Sequence, residues 1–489
     1  MAVHLVWILP LAPVLSALAL LAARSPRRLA QIDLAGAAGV FALAVLLARS
    51  VMRDGPLRAA GVLGADAVSV VFVLLIGVLF LAVSIYSVGW MRRELAHRGI
   101  KEKHLHYYYA LVHAFVATML VTVLADNLGL LWIAMEGTTI TSAILVGFHG
   151  HRYGLEAAWK YIIVTTIGIS FGLFGTVLVY AAAAHAQGGA LGAMSYTAIV
   201  AVAHRLDPGI VRIGFIFVLI GYGTKVGLAP MHMWLPDAHS QAPSPVSALL
   251  SGALIKCALF GIIRFHTIAR GACGPGLSGG LLLFFGLVSV VVATPFILAQ
   301  RDFKRLLGYH SVEHVGIIAL GLGFGGPIGT YAALLHVVNH GVTKALVFFV
   351  AGDAMGRYHS RYMHAIRGYL GVAPLGGTLL LFGAFSLAGV PPFSIFVSEL
   401  MVVRAGLAAG QYAAVALFLL MVVVIFAGLI HHVGSMAFGT APEKVDRSPE
   451  AVPVLAGMLL LGTLMLLLGV TIPPSLHVLL ERATVIILG

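Results

Sequence analysis

Apolar runs recur along this chain from residue 3 to residue 472 with only short polar breaks between them. Each is long enough for the roughly 20 residues that a helix needs to cross a hydrocarbon core. About fourteen are distinguishable, near 3–23, 33–52, 67–90, 107–125, 127–148, 157–184, 210–232, 244–269, 279–299, 306–325, 328–352, 371–404, 412–438 and 451–471. Inside a bilayer, backbone groups find partners only in helices or closed barrels, and barrel strands alternate apolar with polar residues. These runs are continuous, so the sequence predicts an all-α polytopic membrane protein with about fourteen transmembrane helices. Its longest polar stretches, 91–106, 185–209 and 439–450, are loop-sized, which leaves no room for a soluble catalytic lobe.

The first run has no basic residues ahead of it, and Arg24, Arg27 and Arg28 follow it, so it reads as a retained span rather than a cleaved signal. A net charge of +12 would suggest a nucleic-acid partner in a soluble protein; in a lipid-embedded one it reports topology. The loops on one side, Arg98 among their residues, carry 17 Lys and Arg, against about nine on the other. Both termini are therefore expected on the non-cytoplasmic side of a bacterial or archaeal inner (cell) membrane, with the lipid bilayer and not nucleic acid as the surrounding partner. Cys257 lies in a span and Cys273 in a loop, without CxxC spacing or a Gly-rich nucleotide loop. The expectation is no cofactor, no metal and no redox centre of the chain's own.

An internal repeat is visible. "LWIAMEGTTI" (131–140) lines up with "GYHSVEHVGI" (308–317), setting Glu136 opposite Glu313, and "VGLAPMHMWL" (226–235) has a counterpart in "LAGVPPFSIF" (387–396). The series fall five spans apart, an odd offset that implies two inverted five-helix repeats with broken helices 7 and 12, a transporter architecture. The expected divisions are 1–106 (helices 1–3), 107–270 (first repeat, helices 4–8), 279–438 (second repeat, helices 9–13) and 439–489 (helix 14 and a C-terminal tail).

A charged side chain at the centre of a spanning helix costs roughly 2.5–3.5 kcal/mol by insertion scales, so each one needs a reason. Glu136 falls mid-span five, Lys225 deep in span seven just before Gly227 and Pro230, Lys256 in span eight, and Glu399 in span twelve after Pro391-Pro392. His336, His340 and Lys344 recur at i, i+4 and i+8 on one face of span eleven. Glu136 with Lys225 reads either as a helix-locking ion pair or as a proton-carrying pair. The histidine stripe reads as a proton relay, as packed histidine, or as a zinc site, the last lacking an acidic ligand nearby. Lys160, four residues after Glu156, competes between an interfacial pair and a site, as Glu313 and His314 do between helix-end roles and a site.

The segment "KVGLAPMHMWLPDAHSQAPSPVSALLSGALIK" and these charged positions resemble the antiporter-like proton-translocating subunits shared by respiratory complex I, Mrp-type sodium/proton antiporters and membrane-bound hydrogenases. "MEGTTITSAILVGF" (135–148), "LEAAWKYIIV" (155–164), "GPIGTYAALLHVVNH" (326–340) and "LAGVPPFSIFVSE" (387–399) look most like hydrogenase-4 component F of formate hydrogenlyase-type complexes. Lys256 departs from the asparagine of component F sequences and is closer to the complex I pattern. No long lateral helix is expected after span fourteen. The resemblance implies a proton pathway through Glu136, Lys225, Lys256, His336, His340, Lys344 and Glu399. It also implies membrane subunits as partners and, through them, a soluble redox module. Alternatives are a subunit of a sodium/proton antiporter or of an ion-driven inorganic-carbon uptake complex.

Overall fold

The computed structural model describes residues 2–96, 99–189 and 194–489, which are helical almost throughout; Arg98 lies outside the described residues. The helices are α1 (Ala2–Ala22), α2 (Pro26–Asp54), α3 (Ala67–Ala96), α4 (Leu105–Leu124), α5 (Leu128–Val146), α6 (Arg152–Gln187), α7 (Tyr196–Ala201), α8 (Pro208–Val226), α9 (Trp234–Gln241), α10 (Ser244–Leu249), α11 (Ile255–Cys273), α12 (Pro275–Ala299), α13 (Phe303–Phe324), α14 (Gly326–Tyr358), α15 (Tyr369–Val372), α16 (Pro374–Leu387), α17 (Ser394–Ala408), α18 (Tyr412–Ala437), α19 (Val452–Val470) and α20 (Pro474–Leu488). A small antiparallel hairpin, β1 (Leu57–Ala59) and β2 (Leu63–Ala65), joins α2 to α3 with Leu57 opposite Ala65.

Each of the fourteen apolar runs falls on a helix or on an interrupted helix pair. Among the described residues, twelve helical segments are long and apolar enough to cross a membrane, with α10 and α11 counting as one through the π-helical turn Leu250–Leu254. α13 falls short because His310, Glu313 and His314 dilute its apolar content, and α16 and α17 are each too short because the chain leaves the helix between them. The protein is a multi-pass membrane protein. Residues 474–488, expected as part of a tail, instead form α20. Its Leu480 and Ala483 are completely buried where it packs on α3 and α14.

Burial grades from rim to centre. In α1, α2 and α18 about a third of the most apolar stretch is buried, whereas the corresponding stretch of Ser244–Cys273 is wholly buried and that of α14 is 94% buried. Ionisable groups on these central helices are therefore screened from lipid by neighbouring helices, the condition under which intramembrane charge is tolerated. α8 is drawn against α6 through small residues: a Cβ added at Gly221 would lie 2.3 Å from the backbone nitrogen of Gly172, so only glycine permits this approach. The contact sets Lys225, one turn further along α8, against α5 and α6.

Candidate functional site

α8 carries Lys225 in its last turn and ends at Gly227, whose φ of +90° suits glycine. The backbone groups freed by the Gly227–Met233 interruption find side-chain partners. Ser289 Oγ accepts the Ala229 N–H at 2.9 Å, and the Trp234 indole donates to the Thr224 carbonyl at 2.8 Å. Those contacts make the expected break in helix 7 stable at membrane depth, where an unpaired amide is costly. The second interruption, Ala388–Phe393, falls where the break in helix 12 was expected; both interruptions contain a cis prolyl peptide.

Lys225 is completely buried, and its Nζ donates to Thr139 Oγ1 at 2.7 Å and to the Tyr161 hydroxyl at 2.6 Å. The expected direct pairing with Glu136 does not form. Thr139, three residues along the same face of α5, stands between them and donates to Glu136 Oε2 at 3.3 Å, while Thr166 of α6 holds Oε1 at 2.7 Å. The carboxylate is thus turned toward α6, and the lysine reaches it through one hydroxyl.

Lys256 opens α11 immediately after the π-helical turn. Its Nζ donates to the Ser251 carbonyl and to His340 Nδ1 at 2.9 Å. π turns inside α-helices recur at functional sites, and this one holds the ammonium toward α14. Among the described residues no hydrogen bond joins Lys225 to Lys256.

His336 and His340 lie on one buried face of α14, as their spacing predicts, but they do not hand on to each other directly. His314 of α13 stands between them. Its ring stacks on His340 with centroids 4.6 Å apart, and its Nδ1 lies 3.1 Å from His336 Nε2. His336 Nδ1 meets Ser398 Oγ at 3.0 Å, and His314 Nδ1 lies 4.0 Å from Glu399 Oε1. A row of touching side chains results, Lys256–His340–His314, hydrogen-bonded at its first step and ring-stacked at its second, branching at His314 to His336 and Glu399. Lys344 departs from the expected stripe: its Nζ donates to the Leu307 carbonyl on α13, beside a His310–Glu313 hydrogen bond of 2.8 Å.

His314 and Glu313 are interior groups, not helix-end ones: both are buried, as is His310. Lys160 keeps the interfacial role weighed for it, half exposed and paired with Glu156 at 2.6 Å. His239 is buried on Phe348 with neither ring nitrogen bonded to protein. Near it a cavity of about 440 Å³ is lined by Glu94, His149, His151, Ser240 and the buried Lys304. The zinc reading lacked an acidic ligand in the sequence; packing supplies one, since His314, His336 and Glu399 place ligand atoms within 4.8 Å of one another, as do His310, Glu313 and His314.

Away from this row, Asp66 just ahead of α3 receives both terminal nitrogens of Arg264 at 2.7 and 2.9 Å. Burial pushes its carboxyl up, but the Arg264 charge and hydrogen bonds outweigh burial and hold it below the usual carboxylate range.

The model of the family described as NADH:quinone oxidoreductase/Mrp antiporter, transmembrane, matches residues 125–426. The hydrogenase-4 component F homolog of Methylacidiphilum infernorum (isolate V4) is 36% identical over 409 residues, covering 83% of this chain and 84% of that one. The structure of the Mrp complex from Dietzia sp. DQ12-45-1b superposes with a TM-score of 0.86 at 21% identity, over 99% of this chain and 97% of that one. The membrane-bound sulfane sulfur reductase, an archaeal respiratory membrane complex, gives 0.85 at 23% over the same shares. At such identities the two solved structures speak for the fold alone.

Proposed function

The chain belongs to the NADH:quinone oxidoreductase/Mrp antiporter family of membrane subunits, and on that premise we propose that it translocates protons within a redox-driven complex of the hydrogenase-4 or complex I-like kind. The observation that carries this reading is the buried row from Lys256 through His340 and His314 to His336 and Glu399, built between helices screened from lipid. Ionisable groups are placed at such depth for ion movement far more often than for stability. Each imidazole can accept a proton on one nitrogen and release one from the other. The ring nitrogens that lack a protein partner, Nε2 of His314 and of His340, are buried polar sites of the kind that a bridging water would satisfy.

Lys225 is the carrier in this scheme. Glu136 acts on it through Thr139, and a movement of α5 that draws the carboxylate away removes the charge that favours the ammonium form. The proton passes by water to Lys256, along the histidines and on to Glu399, with Lys344, Glu313 and His310 as a side branch. The cavity beside Lys304 and His239 supports loading from the face that carries most loop cations, with both termini on the opposite side. The interrupted helices sit at equivalent places in the segments 107–270 and 279–438, which supports reading those segments as inverted repeats. Nitrogen donors dominate the row, and these suit protons better than Na⁺, a hard cation that prefers oxygen. The partners in this reading are further membrane subunits and, through them, a soluble redox module that supplies the energy.

The test is proton uptake per electron in proteoliposomes that contain the assembled complex. Lys225→Arg keeps a buried cation that cannot release its proton at working pH, so uptake should fall at least about tenfold. A wild-type proton-to-electron ratio in that variant leaves Lys225 a structural residue and removes the carrier from the scheme.

A further inference from the structure

We infer that His314, His336 and Glu399 form a binding site for a divalent transition-metal ion of zinc's kind, and that the bound ion closes the proton row at its Glu399 end. The second half rests on the proton-carrying reading above; the first half does not. Three helices, the consecutive α13 and α14 and the more distant α17, converge to place two imidazole nitrogens and one carboxylate oxygen within 4.8 Å of one another. Tetrahedral zinc with bonds near 2.0–2.2 Å sets its ligand atoms roughly 3.4 Å apart. His314 Nδ1 and His336 Nε2, at 3.1 Å, already have that spacing, and Glu399 Oε1 at 4.0 Å closes on it by a small side-chain rotation. Two histidines and a glutamate with a fourth position open to water is a donor set that zinc accepts.

The surrounding hydrogen bonds prepare the histidine for this role. Ser398 Oγ directs its single proton to the Ile395 carbonyl at 3.0 Å, so it accepts from His336 Nδ1–H, and the lone pair of His336 is left on Nε2, facing His314. Outer hydrogen bonds of this kind fix the tautomer of metal-ligating histidines. In the metal-free protein the space between His314 Nδ1 and His336 Nε2 holds one proton, carried by His314. A metal ion takes that place, and the proton moves to His314 Nε2, which has no protein partner, or leaves with solvent. Glu399 and the neighbouring Glu313 offset the ion's charge, while Lys256 and Lys344 oppose it, a balance that suits an inhibitory visitor rather than a resident ion. Of the three ligands only Glu399 is not completely covered, with 10% of its side chain exposed.

The experiment is titration of Co²⁺, a spectroscopic stand-in for zinc, into the detergent-purified full-length chain, followed by displacement with Zn²⁺. A tetrahedral cobalt absorption band should develop at one ion per chain and disappear on adding Zn²⁺. Glu399→Gln and His336→Gln should abolish it, Glu399→Asp should weaken it, and Ser398→Ala should weaken binding about 10–100-fold through lost orientation of His336. Glu481→Gln alters the exposed His477–Glu481 pair at 3.3 Å and should leave the band unchanged. Thermal melting of each variant separates lost ligation from lost folding. A band that survives in folded Glu399→Gln, or that never forms in the wild type, overturns the site whatever the transport result. A site that binds Co²⁺ while Zn²⁺ leaves wild-type proton uptake undiminished overturns the blocking role and leaves the metal site standing.

Discussion

Lys256 and His340 are joined across the boundary between α11 and α14 by a hydrogen bond from Nζ to Nδ1 at 2.9 Å. The lysine ends in the π-interrupted span and the imidazole begins the histidine row, so this one bond links two helices whose own backbones supply no proton path.

His340→Gln keeps a side-chain acceptor for Lys256 and removes the second ring nitrogen that releases the proton onward. Proton uptake by the reconstituted complex should drop at least about tenfold, while the melting temperature stays close to wild type. A glutamine variant that pumps at the wild-type proton-to-electron ratio shows that protons bypass His340.

Thr139→Val is nearly isosteric and takes away both an acceptor of Lys225 and the donor to Glu136. A buried donor left without a partner costs about 1–3 kcal/mol, although Lys225 keeps Tyr161. Uptake should slow by about tenfold, less than in Lys225→Ala, with melting lowered slightly. Unchanged uptake would separate Glu136 from the work of Lys225.

Asp66→Asn breaks a pair in which Arg264 is 5% and Asp66 16% exposed, and removing one partner of such a pair costs about 3–5 kcal/mol. The wild-type carboxyl is held below its unfolded value, near 4. Its contribution to stability is therefore fully present above that pH and is lost as pH falls through the depressed folded value. Melting curves in detergent from pH 7 down to about pH 3 should show the wild type falling toward the variant. Parallel curves would mean that the pair does not titrate in this window.

A reporter active only outside the cytoplasm, fused after Gly489, should be active, because the loop cations favour placing both termini away from the cytoplasm. Activity of a cytoplasm-only reporter at the same position reverses the orientation and, with it, the side proposed for loading through the Lys304 cavity.

The spans were legible because apolar runs of membrane length have few alternatives, and Lys225, Lys256 and the α14 stripe were legible because charge in such a run is costly. The helix breaks were announced by Gly227 with Pro230 and by Pro391 with Pro392. His314 was not. In the sequence it reads as a candidate helix-end residue, yet it sits ten residues, about 15 Å along the helix axis, beyond Lys304, which is itself drawn inside to the Ala242 carbonyl. Thr139 escaped notice because a threonine in a helix is ordinary, and its place between Glu136 and Lys225 is set by how α5, α6 and α8 meet. The acidic ligand beside His336 lies 63 residues away in the chain, brought there by packing that no local spacing encodes.

The π-helical turn Leu250–Leu254 has a mechanical consequence. An α-helix advances about 100° per residue, so one surplus residue in that turn resets the angular phase of everything that follows. Lys256 faces His340 and, two turns later, Arg264 faces Asp66 because both inherit the same offset. Deleting a single residue there would rotate both away together, one fastening inside the buried histidine row and one two turns further along the span. The segment works as a keyed shaft, and its key is one amino acid long.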